Sequence, residues 1–269
     1  MFMDWLFIYI LIGLFVGLIA GLFGIGGGTT IVPLLVLAFI YQGFNNEELF
    51  HLALGTSLAS IVVTSISSIY NHNKKKAINW RIVKDFWLFL TFGTICGTFI
   101  AGILNTKILS VFFVIFISYV AYTLIFENKQ FSTYNFPIKI VSNSVCVVVG
   151  IVSSLVGAGG GVMTIPLMLK CGEKIRNAIA TSATLGFPIA LAGSVGFFFQ
   201  GLFNSSSSQN EFTYGYIYFP AFIGIVIGSF FTVPIGVKIA HKINAELLKK
   251  LFGILLLLLS IRVCFTVLF

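Results

Sequence analysis

A chain of 269 residues in which 58% are apolar and only 9% charged departs from soluble proteins, which run near 45–50% apolar and about 25% charged. Such a chain is no soluble globule. Its net charge of +8 does not argue for nucleic acid either, because membrane proteins gather lysine and arginine in their cytoplasmic loops.

Apolar runs occupy residues 5–23, 29–41, 49–70, 86–104, 108–126, 138–157, 162–169, 177–200, 214–237 and 247–268. A bilayer core about 30 Å thick takes about 20 apolar residues per helix, and most of these runs fit. Leu251 to Leu259 is apolar on every face, unlike the alternating strands of a membrane barrel, so the spans are helices. The opening Met1-Phe2-Met3-Asp4 carries no basic flank of a cleavable signal, and the first run reads as a retained span.

The second and seventh runs are short: as a helix, 29–41 reaches about 20 Å, less than the hydrocarbon thickness. Each follows a glycine cluster, and the clusters are copies. Gly24-Ile25-Gly26-Gly27-Gly28-Thr29-Thr30-Ile31-Val32-Pro33-Leu34 is matched by Gly157-Ala158-Gly159-Gly160-Gly161-Val162-Met163-Thr164-Ile165-Pro166-Leu167. Gly17 pairs with Gly150, Ala53 to Ser57 with Ala178 to Ser182, and Gly93 and Gly97 with Gly224 and Gly228.

The expected fold is therefore an all-α polytopic membrane protein of two repeats, 1–130 and 131–269, with five apolar segments each. An odd number of segments per copy inverts the second copy relative to the first. Between eight and ten segments enter the membrane, depending on whether the short runs cross or re-enter.

With the N-terminus outside and ten crossings, the inside loops hold Lys74, Lys75, Lys76, Arg81, Lys84, Lys129, Lys139, Lys170, Lys174, Arg176, Lys238, Lys242, Lys249 and Lys250, fourteen of the 16 basic residues. Both termini are then outside, and the expected location is the cytoplasmic (inner) membrane of a bacterium.

Consecutive glycines between apolar runs should break the helix. Broken backbone is tolerated in a bilayer only inside protein or beside a polar cavity. Helices starting near Thr29 and Val162 would aim the N–H groups of their first turns at such a hollow, a place for an anion.

The candidate binding residues are Gly26, Gly27, Gly28, Thr29 and Thr30 in the first copy, and Gly159, Gly160, Gly161 and Thr164 in the second. Thr56, Ser57, Thr181 and Ser182 join them, since hydroxyls serve an oxyanion without burying a charge. The plainer alternatives are glycines that let helices pack closely and hydroxyls bonded back to their own helix.

Asp4, Glu47, Glu48, Asp85, Glu127, Glu173, Glu211 and Glu246 all fall at or near loops, which disfavours a buried proton relay. His51, His72 and His241 read as interfacial, and Lys74-Lys75-Lys76 as an orientation signal. Cys96, Cys146, Cys171 and Cys264 are scattered, with no metal-ligand spacing. No metal, no cofactor and no nucleotide site is expected: no strand precedes the glycines and no Gly-Lys-Ser/Thr follows.

The paired motifs at Gly24–Pro33 and Gly157–Pro166, the span pattern and the size resemble the TauE/SafE sulfite exporter family, also called the toluene sulfonate uptake permease family, over essentially the whole chain. The resemblance implies a transporter of small, often sulfur-containing anions, with the glycine motifs near the substrate path. Val162-Met163 stand where the first copy has Thr29-Thr30, so the half-sites offer different polar groups.

The expected function is secondary transport of a small anion such as sulfite or an organosulfonate, by alternating access at a midplane hollow between the two breaks, and not an enzyme. A proton or sodium gradient would supply the energy, membrane lipid would surround the chain, and nucleic acid is no partner. The competing reading is a membrane scaffold that moves nothing.

Overall fold

The computed structural model describes residues 2–23, 27–126, 139–170, 173–203, 211–240 and 245–268. Gly26, Lys129, Cys171, the serines 205–208, His241 and Lys242 lie outside the described residues. Ten helices run through them: α1 (Phe2–Phe23), α2 (Gly28–Tyr41), α3 (Leu49–Lys74), α4 (Trp80–Ile103), α5 (Thr106–Phe126), α6 (Lys139–Val156), α7 (Gly161–Lys170), α8 (Ile175–Phe203), α9 (Phe219–Ala240) and α10 (Ala245–Leu268).

Each apolar run became a helix. Helix α4 starts six residues before its run because Asn79 caps it, the side chain accepting from the N–H groups of Arg81 and Ile82, as short polar side chains do at helix starts. The run from 214 is the exception: Thr213–Tyr214 and Ile217–Tyr218 pair as a small antiparallel hairpin, β1–β2, and α9 begins only at Phe219.

The 14 residues of α2 and the 10 of α7 reach about 21 and about 15 Å, too little for the hydrocarbon core. Helices α1, α3, α4, α5, α8 and α9 are long and apolar enough to cross a membrane. Phenylalanines and isoleucines such as Phe99, Ile103, Ile115, Phe203 and Phe230 are exposed on their outer faces, which in a bilayer is the lipid side.

The packing scheme occurs twice. Helix α1 lies along α9, and its counterpart α6 along α4; α3 packs on α9 as α8 does on α4; α2 packs on α3 as α7 does on α8. Helices α3 and α8 meet at the centre, and α5 meets α10.

Close crossings need small residues, and glycines supply them. The α-carbons of Gly13, Gly17 and Gly21 lie against the backbone of α9 at Ile225, Ser229 and Val233, while Gly93 and Gly97 lie against α6 and Gly150 against α4. The glycines shared by the two copies therefore serve two equivalent crossings, each between different halves of the sequence.

The bundle has two chemically distinct ends. At one, Lys75 Nζ donates to the Val237 carbonyl at 3.4 Å and Asn79 Nδ2 to Glu173 Oε1 at 2.6 Å. Partial burial, with Lys238 and Arg176 nearby, holds the Lys75 ammonium below its ordinary pKa. At the other end Tyr218 packs among Tyr9, Phe39 and Phe44, and burial pushes its phenol above the usual value.

Candidate functional site

From Gly27 and Gly160 onward the two glycine breaks have the same backbone. Gly27 sits at φ 79° and Gly160 at φ 75°, left-handed conformations that a side chain resists. From each turn a short helix starts in the same manner. The N–H groups of Thr30 and Ile31 both donate to the Gly27 carbonyl, and those of Met163 and Thr164 both donate to Gly160.

The first N–H groups of a helix have no carbonyl one turn back within it, and in the second copy those of Gly161 and Val162 donate to no main-chain carbonyl among the described residues. A proline follows at the same place in both. Pro33 and Pro166 lie inside α2 and α7, and lacking an N–H they deprive the carbonyls of Thr29 and Val162 of their helical donors. Each break thus exposes donors and an acceptor together.

The breaks meet. A Cβ on Gly28 would fall well inside contact distance of the Gly157 carbonyl oxygen, with Ala158 Cα at 2.7 Å. Gly157 is itself left-handed, φ 64°, and ends α6 through Gly157 N–H to Ser154 O and Ala158 N–H to Ser153 O. Ser57, on α3, donates its hydroxyl to the same Gly157 carbonyl at 2.9 Å.

An open polar hollow between the breaks is not what this structure holds. Among the described residues the junction is close-packed: Gly27 to Pro33 and Ser153 to Gly161 are all buried. The large groove, about 900 Å³, lies elsewhere, on the apolar flank of α4 and α8 between Trp87, Phe99, Leu191 and Phe199.

Inside the closed junction several hydroxyls have no hydrogen-bond partner among the described residues. Those of Thr29 and Thr30, in the first turn of α2, have none and are fully buried, and Ser153, 2% exposed and close to Gly160, is in the same position. Leaving a buried hydroxyl unbonded costs about 1–3 kcal/mol. The other such hydroxyls, Ser68 and Thr213, sit toward the ends of the bundle.

The remaining predicted hydroxyls each have a hydrogen-bond partner, Thr164 and Ser182 beside the second break, Thr56 toward the hairpin end and Thr181 toward the basic end. Thr164 and Ser182 share a hydrogen bond of 2.5 Å, and Thr164 also donates to Gly160 O at 3.0 Å. Thr56 Oγ1 accepts the Tyr218 N–H, and Thr181 Oγ1 the Asn79 N–H, both at 3.0 Å. Gly159 lies against Gly186 of α8, and Gly161 opens α7; Gly26 is outside the described residues. Ser60, Thr64 and Ser65 bond back to carbonyls three or four residues earlier.

His51 is buried rather than interfacial: it lies 3.0 Å from the Ala101 carbonyl and beside the Tyr216 ring. Cys96, Cys146 and Cys264 are in no disulfide. Among the described residues no three His, Cys, Asp or Glu side chains gather around a metal-sized space. Ser153 was not among the residues read from the sequence; comparing the copies would have shown it as a hydroxyl where the first half has Ala20.

Known proteins place this architecture. Residues 9–263 match the family described as Sulfite exporter TauE/SafE. The chain belongs to the TauE/SafE family. A "Probable membrane transporter protein" of Haemophilus influenzae is 34% identical over 94% of this chain and 96% of its own length. TauE/SafE relatives so named also occur in Methanocaldococcus jannaschii, 30% identical over 92% of this chain and 91% of that one, and in Bacillus subtilis (YunE), 26% identical over 96% and 97%. No solved structure matches. As a TauE/SafE protein the chain is a multi-pass membrane transporter.

Proposed function

We propose that this transporter moves a small anion of the sulfite or organosulfonate class across the bacterial cytoplasmic membrane, binding it at the junction of the two glycine breaks. The observation that carries this reading is the fully buried pair of Thr29 and Thr30 hydroxyls, unpartnered among the described residues, in the first turn of a helix that begins against the opposite break at Gly157 and Ala158. Helix starts and hydroxyls together suit an oxyanion: they donate hydrogen bonds and a partial positive charge without a buried cation. Ser153 adds a donor from the second copy.

In this reading the junction is closed, and transport requires the breaks to part alternately toward either side. The repeats 1–130 and 131–269 supply equivalent short helices, and the basic end faces the cytoplasm, as the lysines and arginines dictate. Both termini then lie outside, and a proton or sodium gradient drives the cycle, as the chain carries no nucleotide-binding motif.

Flux of sulfite and of a short sulfonate into reconstituted vesicles tests it. Thr29→Val and Thr30→Val should each lower flux at least tenfold while the protein elutes and melts as the parent does. Unchanged flux in the double variant would remove the hydroxyls from the path. Close packing at the junction also suits a scaffold that carries nothing; for that reading to win, neither solute would move under any imposed gradient.

A further inference from the structure

The hydroxyls of Thr56 and Thr181 occupy equivalent places in the two copies, one on α3 and one on α8, and both are fully buried. Each accepts a main-chain N–H, which ties it to another element of the fold. The donors are informative. Tyr218 immediately precedes α9, the fourth helix of the second copy, and Asn79 immediately precedes α4, the fourth helix of the first. Each copy's third helix therefore grips the entry to the other copy's fourth helix, and the two grips lie at opposite ends of the bundle.

Both grips sit next to residues that bond the junction. On the hairpin side, Thr56 lies one residue before Ser57, which bonds the Gly157 break. Gly55 lies against the Tyr216 carbonyl, so the hairpin is seated directly on α3. On the basic side, Thr181 lies one residue before Ser182, which bonds Thr164 of α7. Asn79, held by Thr181, also ties α4 to the start of α8 through Glu173.

We propose that Thr56 and Thr181 are paired gate latches. Release of Thr56 from the Tyr218 N–H opens the junction toward the hairpin side, release of Thr181 from the Asn79 N–H opens it toward the basic side, and this structure has both fastened. The proposal rests on the alternating-access reading above, and reassigns these two threonines from solute contacts to positioning residues. A hydroxyl acceptor suits a latch. It satisfies an N–H in the low-dielectric interior when closed, and its loss exposes a single amide that entering water can serve.

Side-specific accessibility tests it without any solute. Ser153→Cys is introduced into a chain whose four native cysteines are replaced, and labelling by a membrane-impermeant thiosulfonate is followed from each face of sealed vesicles. Thr56→Val should speed labelling from the hairpin face by roughly three- to tenfold, the effect of losing one hydrogen bond, and leave the other face unchanged. Thr181→Val should do the reverse, while Thr56→Ser and Thr181→Ser should label as the parent does. Where a valine variant does not elute as a single species, the alanine variant removes the same acceptor without added bulk.

Equal acceleration at both faces, no acceleration, or failure of serine to restore the parent rate would overturn the latches. Side-specific labelling in a protein that moves no sulfite would uphold them while the substrate reading fell.

Discussion

The two glycine breaks share a backbone and differ in side chains. Both turn at a left-handed glycine, both start a short helix with two N–H groups on one carbonyl, and both carry a proline inside that helix. Yet the first short helix opens with Thr29-Thr30, unpartnered among the described residues, while the second has Val162-Met163 there and its own hydroxyl, Thr164, engaged by Ser182 and Gly160, the unpartnered Ser153 coming from α6. Duplication has kept the device that opens the helix and let the chemistry diverge. A site of this kind is geometrically two-fold and chemically one-sided.

The comparison breaks first at the backbone. Gly28→Val should abolish flux and cut the yield of folded protein severely, because the new side chain meets the Gly157 carbonyl and Ala158, and backbone cannot yield as a flexible side chain can. Quantified fluorescence-detected elution and vesicle flux measure both. If the variant folds and transports, the breaks do not bear on each other as described.

Next in size are Gly27→Ala and Gly160→Ala. A left-handed alanine costs about 1–2 kcal/mol, and in each case the methyl also presses on a neighbour, Val16 for Gly27 and Ile189 for Gly160, at 2.6 and 2.5 Å. The two variants should lower the melting temperature by similar amounts. A marked inequality would show that the turns are not mechanically equivalent.

The chemical difference is sharpened by valine at each hydroxyl. Thr164→Val loses two hydrogen bonds and leaves Ser182 with a missing partner, so it should destabilise by about 1–3 kcal/mol and affect flux secondarily. Thr29→Val removes a hydroxyl that has no partner among the described residues, so its melting temperature should hold or rise while flux falls. The reverse pattern would exchange the roles of the two breaks.

Smallest of all should be Gly43→Ala. It too is left-handed, φ 77°, but nothing lies within 4 Å of the added methyl. A loss of about 1 kcal/mol in stability with unchanged flux would separate the cost of the turn from the cost of crowding at the junction.

The breaks were legible because glycine triplets and prolines repeat in the sequence, and the helices because apolar length alone decides them in a bilayer. The hairpin at 213–218 was not, since Tyr214, Tyr216, Ile217 and Tyr218 read as more of the α9 run, and apolar content cannot separate a short strand from a helix start. The early start of α4 hid behind Arg81, Lys84 and Asp85, polar residues that look like loop until the Asn79 cap is seen. Thr56 and Thr181 were recognisable as a pair, but their partners are main-chain groups far away along the chain, which no local pattern announces. Ser153, one of two adjacent serines in an apolar run, carries no signal of its own.

The crossings of α1 with α9 and of α6 with α4 carry a consequence for how the protein is made. The first helix leaves the ribosome with its glycine face bare and meets its partner only when all but the last helix has been synthesised. Until then that face must rest against lipid, the insertion machinery or a temporary neighbour, so early intermediates in biogenesis hold non-native contacts. Expressing residues 1–130 and 131–269 as separate chains should yield functional protein only when both are made together in the same membrane.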